Sequence, residues 1–175
     1  MTSIAVTTAA APTLRAARPD DRAAVERLLV ESALTTAGVR DLFDGHAGDF
    51  IVADDPARPG ELAAVAGLEL CDGTALLRSV AVRPEWRARG LGRELVKRAV
   101  CVAESRGLRA LYLLTTTAEH YFPKFGFTRV ERGAVPAAVA ATLEFQSACP
   151  ASAVAMSRAI DTSGLGAQTL DARVR

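Results

Sequence analysis

Two glycines and three arginines lie where a β-branched run gives way to a helical pattern. Gly90 and Gly92 open the helix, and Arg87, Arg89 and Arg93 surround them. Because glycine has no Cβ, its backbone N–H can approach a ligand closely, and the unpaired N–H groups at a helix start attract phosphate. A turn beside solvated arginines would explain the glycines alone. The strand, the arginines and the helix together predict a pyrophosphate site.

The spacing of this segment excludes two common nucleotide-binding motifs. The dinucleotide fingerprint requires a third small residue where Leu95 stands. The phosphate-binding loop of nucleoside triphosphatases requires Gly-Lys-Ser/Thr, which this segment does not contain. The segment therefore indicates a different anionic cofactor.

Residues 87–92 carry a resemblance to a known family. Arg87-x-x-Gly90-x-Gly92, which follows a Val-Ala-Val tripeptide at 80–82, is similar to the signature of the GNAT N-acetyltransferases. Residues 113–127, which end in Gly-Phe, resemble the later strand and short helix of that family. The resemblance implies the acyl-CoA N-acyltransferase fold, a mixed α/β architecture. Its central, mostly antiparallel sheet has splayed middle strands and is flanked by helices.

The resemblance also implies acetyl-CoA as the cosubstrate, with its pyrophosphate on loop 87–92 and its pantetheine between the strands at 75–82 and 111–115. The backbone N–H of Val80 would be the donor to the thioester oxygen, where it would stabilise the developing oxyanion. The implied cofactor contacts are Val80, Ala81, Val82, Arg87, Ala88, Arg89, Gly90, Leu91, Gly92, Arg93 and Phe122.

The catalytic residues of the family match this sequence less directly. Many relatives carry a tyrosine, the acid for the departing thiolate, where this sequence has Phe122. Tyr121 is therefore the candidate acid, and packing or a cofactor contact is its alternative role. A glutamate common in the family is replaced by Arg78. Glu69 is the candidate base, acting through water, unless it is a surface residue and positioned water suffices.

Arg78 is predicted to lie on a central strand, where an unpaired cation would be costly. A substrate carboxylate suits its planar guanidinium, and Glu69 or Glu144 could pair with it instead. Ser79 and Thr116 are the other predicted acceptor-binding residues.

The acceptor is suggested by a finer resemblance. Residues 114–127 look like the acetyltransferase part of N-acetylglutamate synthase. With residues 135–136 and 149–153, the chain also resembles small N-acetyltransferases associated with arsenic resistance. These resemblances imply acetylation of a glutamate-like amino acid, or of an analogue such as arsinothricin. The alternatives are an acetyl-CoA sensor or other non-catalytic module, or acetylation of another small amine or a peptide N-terminus.

Composition limits the partners and the location. The 175 residues suit one domain. A formal net charge of +1 and few aromatics near the arginines argue against nucleic acid. The three cysteines lack metal-site spacing, so we expect no metal. Because no targeting segment or membrane-spanning run is apparent, we expect a cytoplasmic protein without a membrane partner. The family resemblance implies a homodimer.

Periodicity and turn residues predict a domain at 13–160 between flexible tails at 1–12 and 161–175. The Asp-Gly pair at 72–73 predicts a hairpin. The expected strands are 13–17, 50–53, 62–71, 75–82, 111–114, 127–131 and 153–160, and the expected helices are 20–29, 36–43, 91–105, 118–125 and 136–143.

Overall fold

Seven strands form one sheet in the computed structural model, which describes residues 10–161. The strands are β1 (Leu14–Ala16), β2 (Phe50–Asp54), β3 (Leu62–Cys71), β4 (Thr74–Val82), β5 (Ala110–Thr115), β6 (Thr128–Arg129) and β7 (Val154–Ala159). Their order is β1-β2-β3-β4-β5-β7-β6. Only β4 and β5 are parallel neighbours, so the predicted mixed, mostly antiparallel sheet is confirmed.

Between residues 10 and 161, four α-helices accompany the sheet: α1 (Arg22–Glu31), α2 (Val39–His46), α3 (Leu91–Ser105) and the single turn α4 (Ala137–Ala140). A π-helical turn at Glu144–Ala148 follows α4. Within the described residues, no helix is long and apolar enough to cross a membrane. Residues 1–9 and 162–175, which hold most of the two predicted tails, lie outside the described part of the chain.

Helices pack against both faces of the sheet and bury its apolar side chains. Helix α3 packs on one face in a cluster that includes Leu68, Leu77, Leu95, Val96, Ala99, Ala103, Leu111 and Leu113. Helices α1 and α2 pack in a second cluster that includes Val25, Leu28, Leu29, Phe43, Phe50, Val52 and Val65. Full burial of each large side chain contributes about 1.5–3 kcal/mol, so these clusters hold the central strands in place.

Local sequence signals fix two boundaries as predicted. Asp72 and Gly73 have φ of 46° and 75°, the left-handed pair that a tight hairpin between β3 and β4 requires. Helix α3 begins at Leu91 and ends at Ser105. Gly107 follows with φ of 65° and stops the helix, because a left-handed residue cannot continue it.

Three predicted elements are shorter in the structure. Residues 118–125 form only a 3-10 turn at Phe122–Phe125, because Pro123 in a helix interior would clash with the carbonyl four residues earlier. The predicted helix at 136–143 is the single turn α4, and the predicted strand at 127–131 is reduced to β6. Tyr112 and Leu114 of β5 are only half-buried.

A pair of glycine substitutions tests this packing. An ideal Cβ on Gly67 of β3 would lie 2.6 Å from Cε1 of the buried Phe50 ring, whereas one on Gly45 of α2 would meet no atom within 4 Å. We expect Gly67→Ala to lower the free energy of unfolding by about 1–3 kcal/mol through overpacking. Gly45→Ala should raise it by up to about 1 kcal/mol. Urea denaturation measures both, and equal stabilities would contradict the close packing of Phe50 on Gly67.

Candidate active site

The candidate site is a cleft that opens where β4 and β5 separate. Within residues 10–161 the two strands pair only at Ala75–Leu111 and Leu76–Tyr112, and beyond these pairs they diverge around a cavity of about 660 Å³. Backbone groups without a cross-strand partner are available to a ligand there. The predicted site residues in the cleft wall are Arg78, Ser79, Val80, Val82, Arg87, Ala88, Gly90, Gly92, Arg93, Thr116, Tyr121 and Phe122.

A β-bulge interrupts β4 at the cleft. The register to β3 shifts between Val65 and Gly67, so that Ser79 and Val80 together face one residue of β3. Ser79 has φ of 56°. In a residue other than glycine this conformation costs free energy, and it persists only where the surrounding structure imposes it. A bulge leaves backbone out of the ladder. The backbone of Val80 is therefore freed from regular pairing at the cleft wall.

The loop before α3 is fixed by its own side chains. Trp86 is 6% exposed and packs in the core beneath α3. Arg89 lies over the Trp86 ring, with Cζ 5.1 Å from the ring centroid. Nε of Arg87 donates to the carbonyl of Val82 over 2.9 Å. These contacts hold the loop in one shape beside the end of β4.

The backbone of this loop forms an anion cradle. Ala88 and Gly90 have φ of 57° and 84°, and such left-handed residues curl successive N–H groups into a concave surface. An ideal Cβ on Gly90 would meet no atom within 4 Å, so the cleft is open at this point. Helix α3 begins at the next residue, and its first N–H groups have no intrahelical acceptor. A surface of this kind can bind an anionic group.

Tyr121 lies against the start of α3. An ideal Cβ on Gly92 would be 3.1 Å from Oη of Tyr121, so Gly92 permits this close approach. Nζ of Lys124 lies 3.6 Å from the Tyr121 ring centroid, and both side chains line the cleft. Burial raises the pKa of Tyr121. The phenol therefore keeps its proton at neutral pH and can donate it.

Four predicted site residues have side chains outside the cleft wall. Arg89 stacks on Trp86 as described. Ala81 is buried in the core beneath α1 and α2, and Leu91 in the core beneath α3. Glu69 on β3 is bonded to Arg78 instead of facing the cavity. Strand alternation and helix periodicity direct the side chains of Ala81 and Leu91 into the core, so only their backbone atoms could face the cleft.

Arg78 is buried among internal partners. Its side chain is 1% exposed. Nη1 donates to Oε2 of Glu69 over 2.6 Å, Nη2 donates to the carbonyl of Ala37, and Nε lies 3.2 Å from Oε1 of Glu144. Since a guanidinium carries five N–H groups, one N–H remains on each Nη. The three side chains together carry a net charge of −1.

Two segments of the cleft wall were not predicted. The loop between α1 and α2 contributes residues 33–35, and the segment around the π-helical turn contributes Glu144, Cys149 and Ala153. Glu144 was considered only as an internal partner of Arg78. Its position between Leu143 and Phe145 was the available signal, because an acid within an apolar run needs a specific partner.

Comparisons with known proteins indicate the family to which this chain is similar. The family model described as "Acetyltransferase (GNAT) family" matches residues 13–127. An amino-acid acetyltransferase of Pseudomonas fluorescens is 34% identical over 122 residues, 67% of this chain and 27% of the relative. One of Azotobacter vinelandii is 34% identical over 124 residues, 69% and 28% respectively. The chain thus spans little more than a quarter of these relatives.

Solved structures share the fold. Rv2747 from Mycobacterium tuberculosis, in complex with CoA, has a TM-score of 0.71 at 24% identity, over 86% of this chain and all of the other. N-acetylglutamate synthase from Neisseria gonorrhoeae, complexed with coenzyme A and N-acetyl-glutamate, has a TM-score of 0.69 at 20% identity, over 87% of this chain and 36% of the other. Because the family model covers more than half of the sequence, this chain belongs to the GNAT acetyltransferase family.

Proposed function

We propose that the protein transfers an acetyl group from acetyl-CoA to the α-amino group of a glutamate-like amino acid. The observation that carries the proposal is a single cleft with an anion cradle at 87–93 and the Arg78 cluster both in its wall. Relatives described as amino-acid acetyltransferases support an amino-acid acceptor. The Neisseria enzyme complexed with N-acetyl-glutamate supports a glutamate-like one.

The end of the cleft beside residues 87–93 binds and orients acetyl-CoA in this proposal. Acetyl-CoA supplies an activated acetyl group as a thioester. The N–H groups of the cradle and the first turn of α3 hold the diphosphate, and Arg87 and Arg93 balance its charge. Within the described chain, neither arginine is paired with a carboxylate, so both are available to phosphate. Phe122, buried at 6% exposure, gives this part of the wall an apolar surface.

Two groups in the cleft wall are proposed to serve the reacting atoms. The backbone N–H of Val80, freed by the bulge, is placed to stabilise negative charge on the thioester oxygen, a contribution worth about a hundredfold or more in rate. The phenol of Tyr121 keeps its proton at neutral pH and serves as the acid for the departing thiolate. The remaining rate acceleration comes from holding the amine close to the thioester.

The acceptor end binds the amino acid. The N–H groups left on the two Nη atoms of Arg78 suit a substrate carboxylate. Oγ of Ser79 is buried in the same wall and has no hydrogen-bond partner among residues 10–161. Since a buried hydroxyl is normally satisfied, a polar substrate group is its expected partner. Thr116, also in the wall, offers a second hydroxyl. An arsinate or phosphinate side chain, as in arsinothricin, could replace the side-chain carboxylate of glutamate.

A substitution in the cradle tests acetyl-CoA binding. Gly90→Glu should weaken acetyl-CoA binding at least a hundredfold, because it places a negative charge and a side chain in the diphosphate site. Gly60→Glu is the matched control, since Gly60 is also left-handed, with φ of 82°, and also open, but lies outside the cleft. Calorimetry measures both affinities. Unchanged affinity in Gly90→Glu would refute the cradle as the diphosphate site.

An acceptor panel tests the substrate class. Thiol release from acetyl-CoA should be seen with L-glutamate and with its phosphinate and arsinate analogues, because each offers an α-amine beside two acidic groups. Glutarate, which lacks the amine, gives the background. Reaction with polyamines or peptide N-termini alone would show that the amino-acid proposal is wrong, while leaving acetyl transfer itself intact.

A further inference from the structure

Glu144 is a buried carboxylate in the cleft wall. Its side chain is 6% exposed, and it begins the π-helical turn at Glu144–Ala148, a local geometry frequent at functional sites. A carboxylate removed from water must be compensated by a partner. The contacts that the Glu144 carboxylate makes therefore indicate its role.

The partner that Glu144 has in the structure does not satisfy it. Nε of Arg78 lies 3.2 Å from Oε1 of Glu144, yet this Nε is buried without an aligned hydrogen bond. Glu69 instead accepts an aligned hydrogen bond from Arg78 over 2.6 Å. Across residues 10–161, the Glu144 carboxylate accepts no hydrogen bond. Arg78 is the cation beside it, and the carboxylate oxygens keep their lone pairs for another donor.

The turn that carries Glu144 is held firmly. Arg132 donates from Nη2 to the carbonyl of Phe145 over 2.9 Å and from Nη1 to the carbonyl of Pro150 over 3.2 Å. Its guanidinium also lies over the Phe145 ring, 5.3 Å from the centroid. These contacts tie both ends of the segment to one side chain. The backbone that carries Glu144 is therefore held in place at the cleft wall.

We propose that Glu144 binds the acceptor's ammonium group and acts as the general base that removes its proton. The inference rests on the proposed function and assigns a residue to a role that Glu69 was predicted to fill. Glu69 lies outside the cleft and is already hydrogen-bonded, whereas Glu144 faces the cavity. The cluster of Arg78, Glu69 and Glu144 carries one excess negative charge, which favours a cationic group beside it.

The environment of Glu144 also suits a base. Burial raises the pKa of its carboxyl, Arg78 opposes the rise and Glu69 adds to it. Cys149, a thiol whose own pKa is raised by burial, and Arg132 are the other ionisable groups near the turn. A raised pKa makes the carboxylate a stronger base nearer to neutral pH.

The proton and electron changes balance. The Glu144 carboxylate takes one proton from the ammonium, and the freed nitrogen lone pair forms the N–C bond to the acetyl carbon. The C–S bond breaks, and its electron pair stays on sulfur. The second proton lost by nitrogen reaches the sulfur, with Tyr121 as the acid. The proton on Glu144 returns to solvent, so one ammonium and one thioester give one amide, one thiol and one released proton.

The test compares Glu144→Gln with Glu69→Gln, because each removes one carboxylate from the same arginine. With L-glutamate as acceptor, we expect Glu144→Gln to lower kcat at neutral pH about a hundredfold or more, the usual range for a lost general base. Glu69→Gln should lower it less than tenfold. Unfolding midpoints and acetyl-CoA affinities of both variants show whether each is folded. Equal losses in the two variants would overturn the inference, because Glu144 would then be only a partner of Arg78.

The pH profile separates a base from a structural role. In the wild type, kcat/KM should fall as pH drops through the raised pKa of Glu144 and level off above it, since the ionised form is active. In Glu144→Gln only free amine reacts, so the rate should keep rising with pH and approach that of the wild type under alkaline conditions. A Glu144→Gln profile parallel to the wild type would contradict the assignment.

A titration of the protein without substrate tests the role of Glu144 independently of which amine is the acceptor. Carbon-13 NMR of glutamate-labelled protein follows each carboxyl with pH, and the signal missing from Glu144→Gln identifies Glu144. A titration above the ordinary glutamate value supports the base, and one at or below it overturns the base, whichever amine is acetylated. If L-glutamate fails as acceptor while another amine reacts, the amino-acid proposal fails. The two variants are then compared with that amine.

Discussion

The separation of β4 from β5 is the constraint on which the site depends. Two backbone pairs hold the parallel strands together at one end, and the apolar cores on both faces keep the rest of the sheet intact. Beyond those pairs the strands leave backbone groups without partners. Buried polar backbone must be satisfied, so the fold itself creates a place that a ligand completes.

Backbone strain is concentrated along this opening. Ser79 at the bulge and Ala88 in the loop are both left-handed without being glycine, which costs of order 1–3 kcal/mol each. Trp86, buried beside the loop, and the hairpin partner β3 supply the packing that imposes these conformations. The packing of the core thus stabilises the strained backbone of the cleft wall as a preformed binding surface.

The sequence predicted well wherever local chemistry decides the structure. The limits of α3 and the Asp72-Gly73 hairpin follow from apolar periodicity, turn residues and glycine. It predicted less where distant contacts decide. The π-helical turn is held by Arg132, 13 residues before Phe145, and the three partners of Arg78 come from β3, the α1–α2 loop and that same turn. No spacing rule brings such residues together, so Glu144 was recognised as a partner but not as part of the cleft.

The two ends of the cleft differ in charge. Arg87, Arg93 and Lys124 line its wall at the start of α3, where negative phosphate is expected, while the cluster around Arg78 carries one excess negative charge. A zwitterionic acceptor can meet both signs at that cluster, its carboxylate on the remaining N–H groups of Arg78 and its ammonium on Glu144. An acceptor without an amine would leave the buried Glu144 carboxylate with only its unaligned contact to Arg78, and a buried carboxylate without a hydrogen bond is costly. Recognition and deprotonation of the amine would then be two consequences of the same buried negative charge.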